Sequence, residues 1–198
     1  MVNRSPELQT FLDTLHVSLI ANAPPKSPTA LAVTKAFAVL QKTAEKTSPC
    51  REAPAVCKHL TAAFAIAAAS SAQFLATAFQ AIEPELCWRS RPDRILVDPN
   101  LRDTHANATI IGDGGLEAQS DVRIGVSLLA PNTHYPDHNH LPEEVYVALS
   151  PGAWRQADGP WHEPGPGGLI YNPPNIVHSM QSGDTPLLAI WTLPMALA

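Results

Sequence analysis

The chain has few basic residues, few aromatics, little cysteine and no long apolar run, and each shortage excludes something. Only 13 Lys and Arg stand against 18 Asp and Glu, for a net charge of −5 over 198 residues. The cations are scattered, so no electrostatic footprint for nucleic acid or an anionic membrane is expected. Three cysteines, Cys50, Cys57 and Cys87, are an odd number. They argue against a disulfide scaffold, with a Cys50–Cys57 pair as the minor alternative. The Ala-rich run at 61–69 is too short to span a bilayer, and Ser70 and Ser71 interrupt it. The first residues lack the basic-then-apolar pattern of a secretory signal, so a cytoplasmic location is expected. Apolar content of 45% fits a globular chain that buries a sizeable core.

What is present divides near residue 100. Residues 1–100 read as a helical region and connector. Ser5-Pro6 and Ser27-Pro28 each place a capping side chain before a proline at the first helical position. Leu8, Phe11, Leu12, Leu15 and Leu19 recur at helical spacing, as do Leu31, Val33, Phe37 and Leu40. From about Pro54 a third segment carries Leu60, Phe64, Leu75, Phe79 and Ile82, as one long helix or two. Pro84, Pro92 and Pro99, with Arg89, Arg91 and Arg94, mark the connector. Residues 25–52 are where a mobile lid would fall, though no motif marks one.

Residues 101–198 read as an antiparallel β-barrel. Short β-rich runs at 109–111, 122–129, 145–149, 169–171 and 187–193 are separated by Gly and Pro clusters. The expected class is therefore α+β, with the helical part first and the barrel second.

The chemistry concentrates in one stretch: His138, His140, Glu144 and Tyr146, answered downstream by His178. Imidazole plus carboxylate is the donor set of a mononuclear centre for Zn, Fe, Mn, Ni or Co. His138 and His140 are two apart, so on a strand their rings face one side, and Glu144 and Tyr146 are spaced likewise. A bend at Leu141-Pro142 would bring both pairs to one centre. Tyr135, Tyr146, Trp154 and Trp161 lie close by, although the whole chain holds only 5 Phe, 4 Trp and 3 Tyr.

These residues resemble the two motifs of the cupin superfamily. His138, His140, Glu144 and Gly152 follow the first, with the glycine one place late. Gly167, Pro173 and His178 follow the second, with Asn175 at its second glycine and Ser182 at its usual Asn. Asn tolerates the positive φ that such a glycine position requires. The wider string of Tyr135, His138, His140, Glu144 and Tyr146 resembles the cupin-type dimethylsulfoniopropionate (DMSP) lyases of the DddQ type. That resemblance implies a barrel with a helical N-terminal region. It also implies a divalent metal surrounded by His140, Glu144, Tyr146 and His178. Tyr146 is then the base of a β-elimination yielding dimethyl sulfide and acrylate. Tyr135 and His138 line the pocket, His138 as a ligand or as a group for substrate binding and proton handling.

A free phenol titrates near ~10, so Tyr146 needs a nearby cation to act as a base at neutral pH. No organic cofactor is required. Tyr135, Trp154, Trp161, Tyr171 and Trp191 are candidates to hold a sulfonium by cation–π attraction, with core packing the favoured role for Trp191 on its apolar strand. Tyr135 sits in a polar, loop-like stretch. His134 and His162 read as exposed loop residues, and His16, His59 and His105 have no partner pattern. Two other functions use the same ligands: another metal-dependent cupin enzyme, such as an Fe(II) dioxygenase or isomerase, and a non-enzymatic binding module. The expected partner is a small molecule, with the chain acting as a monomer or homodimer.

Overall fold

Each of the first two helices starts on a Ser-Pro pair. In the computed structural model, which describes residues 4–40, 52–90 and 98–195, Ser5 and Ser27 accept hydrogen bonds from the Leu8 and Ala30 N–H groups. Pro6 and Pro28 open α1 (Pro6–Asn22) and α2 (Pro28–Val39). A 3-10 turn, Ala55–His59, leads into α3 (Leu60–Ala68), followed by α4 (Gln73–Ile82). The third helical segment is thus two helices. Ser70 breaks it: its hydroxyl donates to the Ala67 carbonyl and accepts from the Ala72 N–H, replacing helical bonds. A single turn, α5 (Leu101–Thr104), precedes the strands. Cys50, Arg91, Pro92 and Arg94, and residues 41–51 of the candidate lid stretch, lie outside the described residues.

Eight strands follow: β1 (His105–Ile111), β2 (Val122–Leu129), β3 (His134–His138), β4 (Glu144–Ala148), β5 (Ala153–Gln156), β6 (Leu169–Asn172), β7 (His178–Gln181) and β8 (Leu187–Pro194). All pairings are antiparallel. They form two sheets, β1-β2-β8-β4-β6 and β3-β7-β5. This corrects the closed barrel expected above: among the described residues no strand ladder joins the sheets. The second sheet is built from strands of only 4 or 5 residues, too short to bend from one sheet into the other.

Strand parity divides the interior in two. Val145 and Val147 of β4, Leu188 and Ile190 of β8, and Ile124 and Val126 of β2 face the helices and join Phe11, Leu15, Val33 and Phe79 in one apolar cluster. The alternate residues, Tyr146, Ala189, Trp191 and Leu193, face the second sheet and cluster with Tyr135, Trp154 and Met180. A period of two on each strand gives both faces. The helices therefore cover the outer face of the larger sheet and leave its inner face to the site.

A buried ion pair ties the start of the chain to the β1–β2 loop. The Arg4 guanidinium meets both Glu117 oxygens at 2.8 Å and donates to the Leu40 carbonyl. Cys87 is disulfide-bonded and Cys57 is a free thiol. The free thiol at Cys57 corrects the Cys50–Cys57 alternative, and the disulfide at Cys87 is one that the odd count of cysteines did not signal. Among the described residues no helix is long and apolar enough to cross a membrane.

Candidate metal centre

His140, Glu144 and His178 each offer one ligand atom, and these atoms lie within 4.8 Å of one another. Glu144 Oε2 is 3.3 Å from His140 Nε2 and 3.3 Å from His178 Nε2. The orientation of the rings is set by the backbone. His140 Nδ1 is 2.8 Å from the Pro142 carbonyl, His178 Nδ1 is 2.9 Å from that of Ile176, and His138 Nδ1 is 3.0 Å from that of Pro136. A carbonyl only accepts, so each Nδ1 carries a hydrogen, and in the neutral ring the lone pair is on Nε2. That is the tautomer a metal-ligating histidine needs. His178 Nε2 is buried without an aligned hydrogen-bond partner, which fits an atom made to face a cation.

Glu144 is 3% exposed. Burial alone would push its carboxyl up. With no metal between them, the His140 and His178 rings in their protonated form donate from Nε2, outweigh that and hold it down at about 2. The carboxylate is therefore ionised across the neutral range. Two further side chains fix it. Asn172, its cross-strand partner on β6, donates from Nδ2 to Glu144 Oε2 at 3.0 Å. Gln156 donates to the Asn172 oxygen at 2.8 Å and to the Tyr171 carbonyl at 2.6 Å. Neither residue was singled out from sequence, because only the β4–β6 register brings Asn172 opposite Glu144.

Two turns bring the ligands together. Asn175 adopts φ 60°, as expected for an Asn at a glycine position, and its N–H donates to the His140 carbonyl at 2.9 Å. The turn before His178 is thereby stitched to the loop carrying His140. The two histidines of the first motif do not share a strand. His138 ends β3 opposite His178 on β7, while His140 lies beyond the strand end. His138 consequently falls outside the three-ligand group, with its ring 4.1 Å from that of His178. Ser182 tethers the chain before β3, donating to the Ala130 carbonyl at 2.6 Å and accepting from the Thr133 N–H.

A cavity of about 500 Å³ opens onto these residues. His138, His140, Glu144, Tyr135, Tyr146 and Trp191 line it, with Asn107, Ser127, Arg89 and Arg123 on the remaining wall. Tyr146 is two residues after Glu144 on β4 and shares its inward face. Tyr135 is on strand β3, not in a loop, and is 1% exposed. Trp191 is more than core. It borders the cavity with the Arg123 guanidinium 5.9 Å from its ring centroid. Gly125 on β2 makes room for it: a Cβ there would come within 2.2 Å of the indole. Trp154 is buried behind Tyr146, ring centroids 5.9 Å apart. Trp161 packs against Arg155. Tyr171 donates to Glu143, and burial with that carboxylate pushes its phenol up to about 12. None of these three lines the cavity. His134 and His162 are exposed, His134 at the start of β3 rather than in a loop.

A helical cover on two antiparallel sheets, with a His-His-Glu cluster between them, defines an α+β fold with a candidate metal centre. Residues 29–189 match the family model described as dimethylsulfoniopropionate lyase, and the chain belongs to that family. It is 31% identical over 134 residues to DddL of Cereibacter sphaeroides, aligning 67% of this chain with 56% of that protein. It is 28% identical over 106 residues to dimethylsulfoniopropionate lyase DddQ of Ruegeria pomeroyi, aligning 52% of each. The aligned segments thus span about half the length of these two relatives. The fold also matches the crystal structure of DMSP lyase DddQ from Ruegeria pomeroyi DSS-3, with a TM-score of 0.70 at 20% identity, covering 96% of this chain and 92% of that one. A crystal structure reported for the DMSP lyases RdDddP and RnDddQII matches with a TM-score of 0.73 at 22% identity, covering 95% and 92%.

Proposed function

We propose that this chain cleaves DMSP to dimethyl sulfide and acrylate, with Tyr146 as the base. One observation carries the reading: Tyr146 projects from the same face of β4 as Glu144 into the cavity that His140 and Glu144 line. A dioxygenase or isomerase would use the three ligands but has no need of a phenol beside them.

His140, Glu144 and His178 would hold a divalent cation such as Zn, Fe, Mn, Ni or Co, with Tyr146 as a fourth donor. When bound, that cation supplies positive charge that favours phenolate at Tyr146 and offsets charge developing on the substrate carboxylate. Tyr146 Oη takes the proton from the carbon next to the carboxylate. The C–H electron pair becomes the new carbon–carbon double bond, and the Cβ–S bond breaks with its pair going to sulfur. Neutral dimethyl sulfide and acrylate result, and Tyr146 passes its proton to solvent. Tyr135 and Trp191 offer aromatic faces for the sulfonium, each worth ~0.5–2 kcal/mol. His138, whose ring lies 4.1 Å from that of His178 beside the three-residue group, serves substrate binding or proton handling.

Headspace gas chromatography of the purified protein with DMSP tests the reading. The expected result is dimethyl sulfide from the metal-loaded wild type and its loss after EDTA treatment and in Tyr146→Phe loaded to the same metal content. Equal release from Tyr146→Phe would remove Tyr146 as the base. No release from any metal-loaded sample would reject the lyase reading.

A further inference from the structure

His105 is a buried imidazole that neither the ligand group nor the proposed reaction uses. It opens β1, is 0% exposed, and sits on the inward face of the strand with Asn107. Its Nε2 is 3.0 Å from the Asn107 side-chain oxygen. Its ring centroid is 4.5 Å from that of Tyr135, at an interplanar angle of 54°. Tyr135 meets His138 edge-on at 4.8 Å, and His138 lies 4.1 Å from His178. A continuous row of rings therefore runs from the start of β1 to the candidate metal centre, and His105 is its outer member.

We propose that His105 is a positioning residue, which Asn107 orients and which holds the Tyr135 ring at its place in the cavity wall. Asn107 is itself rigid. Its backbone N–H and carbonyl both pair with Arg89, at 2.9 and 2.8 Å, and its other edge faces Ser127 across the β1–β2 ladder. With its oxygen toward the imidazole, Asn107 accepts from Nε2–H and selects one tautomer and one ring plane. Ring contacts at these separations favour particular tilts, so a fixed imidazole fixes the phenol beside it. A histidine kept only to fill space would be replaceable by phenylalanine. A positioning histidine would not, because phenylalanine keeps the volume and loses the bond that sets the angle. The inference rests on the lyase reading only where turnover is measured.

The test is a double-mutant cycle on the metal-loaded full chain, with an NMR readout that needs no turnover. His105→Phe is expected to lower kcat about tenfold, as loss of an orienting neighbour does near metal sites, with KM within about twofold. His105→Gln, which keeps a donor toward Asn107 but sets no ring against Tyr135, should be as slow as His105→Phe. His105→Phe combined with Tyr135→Leu should be no slower than Tyr135→Leu alone. A fully active His105→Phe, or losses that multiply in the double variant, would overturn the proposal. If His105→Phe does not fold, Asn107→Leu replaces it: an unchanged kcat there overturns the proposal and a lowered one supports it. In 15N-histidine protein, His105 should show the Nε2–H tautomer, and Asn107→Leu should release it and shift the Tyr135 ring signals. Unshifted Tyr135 signals overturn the positioning role even if the wild type releases no dimethyl sulfide, an outcome that by itself rejects only the lyase reading.

Discussion

The two faces of the larger sheet are made by the same strands and have opposite contents. Outward, Val145, Val147, Leu188 and Ile190 meet the helices, and every one is buried and apolar. Inward, the intervening positions hold Glu144, Tyr146 and Trp191, and β1 and β2 add Asn107 and Ser127. One face stores stability and the other carries chemistry. The difference teaches that the helical cover is what frees the inner face. Because α1 to α4 already bury the outer side, the inner side can hold a charged carboxylate, histidines and an open cavity.

Substitutions on each face should separate the two roles. The largest stability effect is expected on the outer face. Ile190→Ala should cost about 2–5 kcal/mol, the usual range for truncating a fully buried Ile, read by urea unfolding. Dimethyl sulfide release per folded molecule should be unchanged. A matching loss of rate would break the comparison.

Asn172→Leu should do the reverse on the inner face. Removing the donor to Glu144 is expected to lower metal affinity or turnover about 10–100-fold. Metal titration by calorimetry and headspace assay measure it, and the thermal midpoint should fall less than for Ile190→Ala.

Gly125→Ala probes both properties at one position. The added methyl would meet the Trp191 indole, so overpacking of about 1–3 kcal/mol is expected. A displaced indole should also change KM for DMSP, because Trp191 lines the cavity. An altered midpoint with an unaltered KM would show that Trp191 is only core.

Acid should act through Glu144 in the metal-free protein. Its folded carboxyl is held at about 2, below the ordinary 4.5. Between those values the unfolded chain binds the proton first, so the stabilising contribution is complete above about pH 4.5 and is lost as pH falls toward 2. Glu144→Gln should flatten the stability profile over that window, measured by circular dichroism. The smallest effect belongs to Lys35, whose exposed ammonium pairs with Glu143 at 2.8 Å. Lys35→Met should change stability by no more than about 1 kcal/mol.

The sequence by itself determined much that is local. The Ser-Pro helix starts, the long strands at 122–129 and 187–193 and the positive φ of Asn175 were legible because neighbouring residues decide them. So was the set His140, Glu144 and His178, which the fold gathers into a group that could hold a metal. Strands β3, β5 and β7 were not legible, being short and mixing polar residues with Pro136 and Arg155. Their extended form comes from pairing with one another, which leaves no periodic trace. The same holds for the separation into two sheets, the place of His138 beside the ligand group, and the exposure of Trp191 to the cavity. Asn172 opposite Glu144 and His105 against Tyr135 were decided by register and packing between segments far apart in the chain. A local pattern states which face a residue takes, and only the assembled sheets state what that face meets.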